Sequence, residues 1–170
     1  MSRYSPVEPL TERHETNTFD CGSRAQTDWL RKHALQAHQA GTSRVYVVML
    51  AGTRQAVGYH ALAAASVERE DTPARVKRGT GRHPIPVIVL ARLGVDVTEQ
   101  GRGLGTALVK DALQRAAAAG HEIGVRALLI HAESEVARDF SLHLAELEPS
   151  PTDPLHLYLL MKDLRATIGS

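Results

Sequence analysis

The chain has 170 residues, 43% apolar and 23% charged, with a net charge of +1, so it reads as one globular domain with no bulk-charge argument for nucleic acid. Its longest uninterrupted apolar run, Val45 to Ala51, is too short to span a bilayer, and its first residues lack the apolar segment of a secretory signal. A single cysteine, Cys21, excludes an internal disulfide, and a reducing, cytoplasmic setting is expected.

Residues 24 to 40 place Trp29, Leu30, Ala34, Leu35 and Ala37 at helical spacing, with Gly41 where a helix would stop. Valine-rich Ser43 to Leu50 predicts a strand. Ala56 to Val67 predicts another, joined to it by a hairpin at Thr53-Arg54-Gln55. Between Arg69 and Pro86 lie five basic residues (Arg69, Arg75, Lys77, Arg78, Arg82) and two acidic ones, among prolines and glycines. That stretch reads as a basic, mobile loop, whose plain interpretation is a solvated connection. Val87 to Val95 is β-branched and apolar, and predicts a strand. A helix follows from about Leu104 to Ala119, closed by Gly120. Residues 125 to 131 form a further strand, Ser134 to Leu144 a helix, and Leu155 to Met161 a last strand before a short polar tail. The order reads β–α–β–β–β–α–β–α–β, an α/β fold with a mixed central sheet flanked by helices. No boundary calls for a second domain, so residues 1–170 are taken as one.

The most informative segment lies between the strand ending at Val95 and the helix opening at Leu104. It carries Gln100-Gly101-Arg102-Gly103-Leu104-Gly105, with Thr106 next. Glycines at alternate positions let backbone N–H groups point inward together. The positive end of the following helix then makes a ready site for a phosphate group. A P-loop would need Gly-Lys-Ser/Thr, and no lysine follows until Lys110. A dinucleotide fingerprint needs G-x-G-x-x-G, which this spacing does not give. The match is to Q/R-x-x-G-x-G/A, filled by Gln100, Gly103 and Gly105. This resembles the pyrophosphate loop of the GNAT family of acyl-CoA N-acyltransferases.

Four further blocks narrow the resemblance. They are Phe19-Asp20-Cys21-Gly22 before a helix with Asp28-Trp29-Leu30, and Val57-Gly58-Tyr59-His60-Ala61-Leu62. The others are Ile85 through Asp96, and Glu148-Pro149-Ser150-Pro151-Thr152-Asp153-Pro154-Leu155. In this order, across nearly the whole chain, they resemble the TacT/AtaT-type toxins of bacterial toxin–antitoxin pairs. The resemblance implies a GNAT fold and acetyl transfer from acetyl-CoA to the α-amino group of aminoacyl-tRNA. It also implies a homodimer and a ribbon-helix-helix antitoxin partner. In GNAT folds the strand matching Leu93, Gly94 and Val95 pairs with the pantetheine arm and polarises the thioester carbonyl. Gln100, Gly101, Arg102, Gly103, Leu104, Gly105 and Thr106 would hold the pyrophosphate.

An α-amino group, with a pKa of about 8, is partly neutral at cytoplasmic pH, so the lack of an obvious general base is tolerable. The family's proton donor to sulfur is the tyrosine of a Phe-Tyr pair; here the pair reads Phe140-Ser141. Just downstream, Ala145-Glu146-Leu147 replaces the usual Gly-Phe and is one residue longer. The expectation is slow transfer, or protonation through Ser141, a water, His143 or Tyr158.

Other residues carry two readings. Arg92, midway along an apolar strand, either pairs within the core or contacts tRNA phosphate. Lys77, Arg78 and Arg82 gain weight as phosphate ligands once tRNA is the suspected substrate. His131-Ala132-Glu133 matches the H-x-E of zinc deaminases, but no Pro-Cys-x-x-Cys follows, and no metal is expected. Cys21 reads as a small residue packed before a helix. Two other functions stay open: N-acetylation of another amine, such as a protein N-terminus or small molecule, or a weakly active acyl-CoA-binding partner of a DNA-binding antitoxin.

Overall fold

A computed structural model describes residues 2–168. The chain divides into two compact units, Met1–Leu62 with Arg92–Ala112, and Ala63–Ala91 with Leu113–Ser170. The strand order is β1-β2-β3-β4-β5-β7-β6, a mixed sheet of seven strands.

The first unit holds β1 (Glu8–Pro9), α1 (Arg24–Lys32), α2 (Ala34–Ala40) and β2 (Arg44–Met49). It also takes the first part of β3 (Ala56–Val67), the end of β4 (Ile85–Val95) and the start of α4 (Leu104–Glu122). β2 and β3 pair antiparallel, with Val45 opposite Ala61 and Val47 opposite Tyr59. Strand side chains alternate between faces, and here each face has its own helices. Val45, Val47, Tyr59 and Ala61 pack with Leu30 of α1, Ala34 of α2 and Phe19. Val48 and Val57 pack with Leu104 and Leu108 of α4. Gly58 is what lets α4 lie close, because a Cβ there would meet Leu108, Val48 and Leu104 at 3.0, 3.0 and 3.3 Å.

The second unit holds α3 (Ala74–Lys77), β5 (Ala127–His131), α5 (Glu135–Leu144), β6 (Glu148–Pro149), β7 (His156–Leu160) and α6 (Met161–Ile168). β4 runs parallel to β5, with Val87 beside Ala127 and Leu90 beside Ile130. β7 pairs antiparallel with β5, and β6 with β7. The core gathers Val76, Ile85, Val87, Val89, Ala127, Leu129, Tyr158 and Leu160.

Four expectations change. The helix expected over 24–40 breaks at His33, whose φ of −124° ends α1 and starts α2; neither glycine nor proline marks the place. Gly120 does not close α4, which runs on to Glu122. It is a packing glycine, since a Cβ there would stand 2.8 Å from Met161 Cε. The expected polar tail is α6, amphipathic, with Met161 and Leu164 buried. The basic stretch is an ordered segment rather than a loose loop: a 3₁₀ turn at Arg69–Asp71 leads into α3. Arg69 donates to Thr80 Oγ1 at 2.7 Å, and the Ser150 hydroxyl donates to the Asp71 carbonyl at 2.6 Å.

Candidate functional site

In the first unit, β4 ends at Val95 and the chain reaches α4 through a 3₁₀ turn, Val97–Glu99, and the glycine turn. Gly101 and Gly103 adopt φ of 79° and 84°, left-handed backbone that a residue with a Cβ reaches only under strain. Apart from its own chain neighbours, no atom of the described residues lies within 4 Å of where either Cβ would stand. The Gly103 carbonyl accepts the N–H of Ala107 at 3.1 Å, which starts the helix. The N–H groups of Leu104, Gly105 and Thr106 belong to the first turn, where an α-helix offers no internal acceptor. Only two of the three expected glycines shape the turn; Gly105 already lies inside α4. The geometry suits an anion such as a pyrophosphate.

The base of the turn is tightly tied. The Gln100 side-chain amide donates to the carbonyls of Cys21 and Val95 at 3.0 and 2.9 Å, so this side chain closes the loop. Asp96 is buried and accepts from the Thr98 N–H at 3.0 Å, the Thr98 hydroxyl at 2.7 Å and the Asp20 N–H at 3.1 Å. Glu99 is 3% exposed and accepts from Arg3 at 2.6 and 3.0 Å and from the Tyr4 hydroxyl at 2.8 Å. Hydrogen bonds from Arg3 and then Tyr4 hold the Glu99 carboxyl down at about 2. Arg102, in the turn, lies 3.8 Å from the same carboxylate. The sequence reading missed Asp96, Glu99 and Arg3. Asp96-Val97-Thr98 does carry the short Asx-turn pattern that could have found the first of them.

Leu93, Gly94 and Val95 form the end of β4 beside this turn. A Cβ on Gly94 would meet Cys21 Sγ, Cys21 Cβ and Tyr59 Cε1 at 3.1, 3.2 and 3.2 Å, so the strand passes closely over those residues. Arg92 is half-buried; its Nη1 donates to Gln26 Oε1 at 3.3 Å, and its guanidinium lies 5.3 Å over the Trp29 ring. Trp29 stacks on Tyr59 at 6.1 Å and 12°, and the Tyr59 hydroxyl donates to the Gln26 carbonyl at 2.7 Å. The partners of Arg92 are thus an amide and an indole, not a carboxylate.

The remaining expected residues lie in the second unit. Lys77 is half-buried, and Arg78 and Arg82 are exposed. Ser141 is 8% exposed, and its hydroxyl donates to the Ala137 carbonyl at 3.0 Å, one turn back along α5. His143 is exposed, with Nδ1 2.7 Å from the Asp139 carbonyl. Tyr158 is buried in the core, where burial and then the charge of Asp71 push its phenol up to about 12. Among the described residues no group of three His, Cys, Asp or Glu side chains is placed to hold a metal ion. Nor is any helix among them long and apolar enough to cross a membrane.

The sequence profile of the acetyltransferase (GNAT) family matches residues 11–145. The chain is 47% identical, over 169 residues and 99% of both chains, to a tRNA-acetylating toxin of Mycobacterium tuberculosis. Among solved structures it resembles AtaT complexed with acetyl-methionyl-tRNAfMet, with a TM-score of 0.85 and 27% identity, over 96% of this chain and 98% of that one. It also resembles a mutant AtaT toxin bound to the C-terminus of the antitoxin AtaR and acetyl-CoA. That match has a TM-score of 0.80 and 26% identity, over 99% of this chain and 100% of that one.

Proposed function

The chain belongs to the acetyltransferase (GNAT) family, and from that premise we propose that it is a toxin that acetylates aminoacyl-tRNA on its α-amino group and so blocks translation. The observation that carries this reading is the end-to-end identity of 47% with a tRNA-acetylating toxin. The same match supports taking residues 1–170 as one domain. The antitoxin partner is read as a ribbon-helix-helix protein, the assembly as a homodimer and the setting as cytoplasmic.

Acetyl-CoA supplies the activated acyl group. The left-handed Gly101 and Gly103, with open space on the Cβ side, fit its pyrophosphate, together with the N–H groups of Leu104, Gly105 and Thr106. Gln100, Asp96 and Glu99 keep that turn in shape before any ligand arrives, which lowers the ordering cost of binding. The end of β4, Leu93 to Val95, would line the pantetheine arm and thioester. Lys77, Arg78 and Arg82 would meet tRNA phosphates, and Arg92 would face the acceptor end. Steep salt dependence of tRNA binding, lost when Lys77, Arg78 and Arg82 become alanine, tests that assignment.

The direct experiment is transfer of labelled acetyl from acetyl-CoA to total charged tRNA, beside uncharged tRNA. Label on charged tRNA alone is the expected outcome. A second reading, a weakly active acyl-CoA-binding partner of a DNA-binding antitoxin, is favoured by the Ser141 hydroxyl being bonded within its own helix. Absence of label while acetyl-CoA still binds in calorimetry would select it.

A further inference from the structure

Arg92 and Gly94 stand two residues apart on β4, so both address the same face of the strand. That face meets α1 and the segment before it: Gly94 lies against Cys21 and Tyr59, and Arg92 against Gln26 and Trp29. The guanidinium is fixed from two sides, by the Gln26 amide oxygen at 3.3 Å and the indole at 5.3 Å. Gln26 is fixed in turn: it is 6% exposed, and Tyr59 Oη donates to its backbone carbonyl at 2.7 Å and lies 3.3 Å from its Oε1.

Every one of these contacts is neutral. No carboxylate among the described residues lies within ion-pair distance of Arg92. The acid of α1, Asp28, instead faces Arg24 and Lys32, each at 3.8 Å. The titratable groups packed around the cluster are Cys21, whose Sγ lies 3.3 Å from Thr27 Oγ1, and Tyr59. A half-buried guanidinium without a counter-charge is expensive for a fold to keep, because burial penalises the charged form. Arginine also stays protonated throughout the working range of an enzyme, so its field does not titrate away.

We propose that Arg92 is a fixed, uncompensated cation that keeps the α-amino group of the bound aminoacyl acceptor in its neutral, nucleophilic form. The inference rests on the acyl-transfer reading above. A like charge within several ångströms disfavours an ammonium ion, typically by one unit of pKa or more. The bound amine therefore enters the reaction deprotonated without a dedicated base. Its lone pair forms the new N–C bond, and the C–S bond breaks with its electron pair going to sulfur. The nitrogen then loses one proton and the sulfur gains one, so no proton is consumed overall. An exposed, free fork suits a phosphate; Arg92 is instead stacked and anchored, two residues before Gly94 on β4.

The test is the single-turnover rate of acetyl transfer to total charged tRNA, at saturating acetyl-CoA and tRNA, followed against pH for wild type, Arg92→Gln and Arg92→Lys. Saturation matters because the rate then reports groups in the bound complex. Removing the cation lets the bound amine hold its proton to higher pH. The acid limb of Arg92→Gln is expected to move up by about one pH unit, with rates converging on the alkaline side. Arg92→Lys, which keeps the charge, is expected to leave the limb near that of wild type. Gln26→Leu, which keeps the charge but removes the anchor, is expected to move the limb part of the way, and decides the matter if Arg92→Gln does not fold. A rate lowered equally at every pH would make Arg92 structural and overturn the proposal. So would an unmoved limb with weaker tRNA binding and a salt slope smaller by about one, which would make it a phosphate ligand. If wild type places no acetyl on charged tRNA, the acyl-transfer reading falls and takes this inference with it; a labelled wild type with an unmoved limb overturns the role of Arg92 alone.

Discussion

Arg126 Nε donates to the Val76 carbonyl at 2.7 Å, while its Nη2 reaches the carbonyls of Arg78 and Arg75 at 3.1 and 3.2 Å. One side chain thus serves the carbonyl end of α3, a helix of four residues that is far too short to hold itself. The backbone carrying Lys77 and Arg78 is therefore preformed. Arg126→Ala is expected to cost about 1 kcal/mol in urea unfolding, because the part-buried Val76 carbonyl loses a charged donor while the bonds to Arg75 and Arg78 are exposed. It should also weaken tRNA binding severalfold although no presented cation has changed. Unaltered tRNA affinity would show that the segment does not depend on this anchor.

The glycine turn before α4 gives the second prediction. Gly103→Val places a β-branched residue at φ 84°, a conformation costing an L-residue roughly 1–2 kcal/mol, and puts a side chain where a ligand would approach. Acetyl-CoA affinity by calorimetry is expected to fall by about tenfold or more, with the circular dichroism spectrum retained. Gly105→Ala, inside the helix, should be milder.

Acid stability turns on Glu99. Its carboxyl is held at about 2, below the ordinary 4.5. A depressed carboxylate contributes stability that is fully present above the unfolded value and lost as pH falls through the folded one. Stability should therefore decline between about pH 4.5 and pH 2 on account of this group. Glu99→Gln is expected to lower stability at neutral pH and to flatten that part of the profile. Chemical denaturation across the window would show it, and a mutant profile parallel to wild type would count against the assignment.

Restoring a proton donor is the fourth test. The Ser141 hydroxyl donates to Ala137, and a missing general acid costs about 10²–10⁴ in rate. Ser141→Tyr is expected to raise the turnover number by about tenfold or more. No change would mean that the leaving thiolate needs no donor here.

Much of this was legible in the sequence because the signals were local. The 3.6- and 2-residue periodicities located the main strands and helices, and Gly103 announced a turn by its place between strand and helix. Gly120 misled because a helix stop and a close helix contact ask for the same small residue; Met161, which separates the two cases, lies 41 positions on. The break at His33 has no local signature at all. Arg69 to Pro86 looked loose because its order comes from Arg126 and Ser150, distant in sequence. The pairing of Glu99 with Arg3, and of Arg92 with Gln26 and Trp29, was invisible for the same reason: each joins segments whose proximity only the folded chain creates.

The glycine turn is sewn to the N-terminal segment, by Arg3 and Tyr4 on Glu99 and by Asp20 on Asp96. Its unit takes in residues up to Ala112. The turn and its supports are therefore complete only when segments 76 to 96 positions apart in the chain have come together.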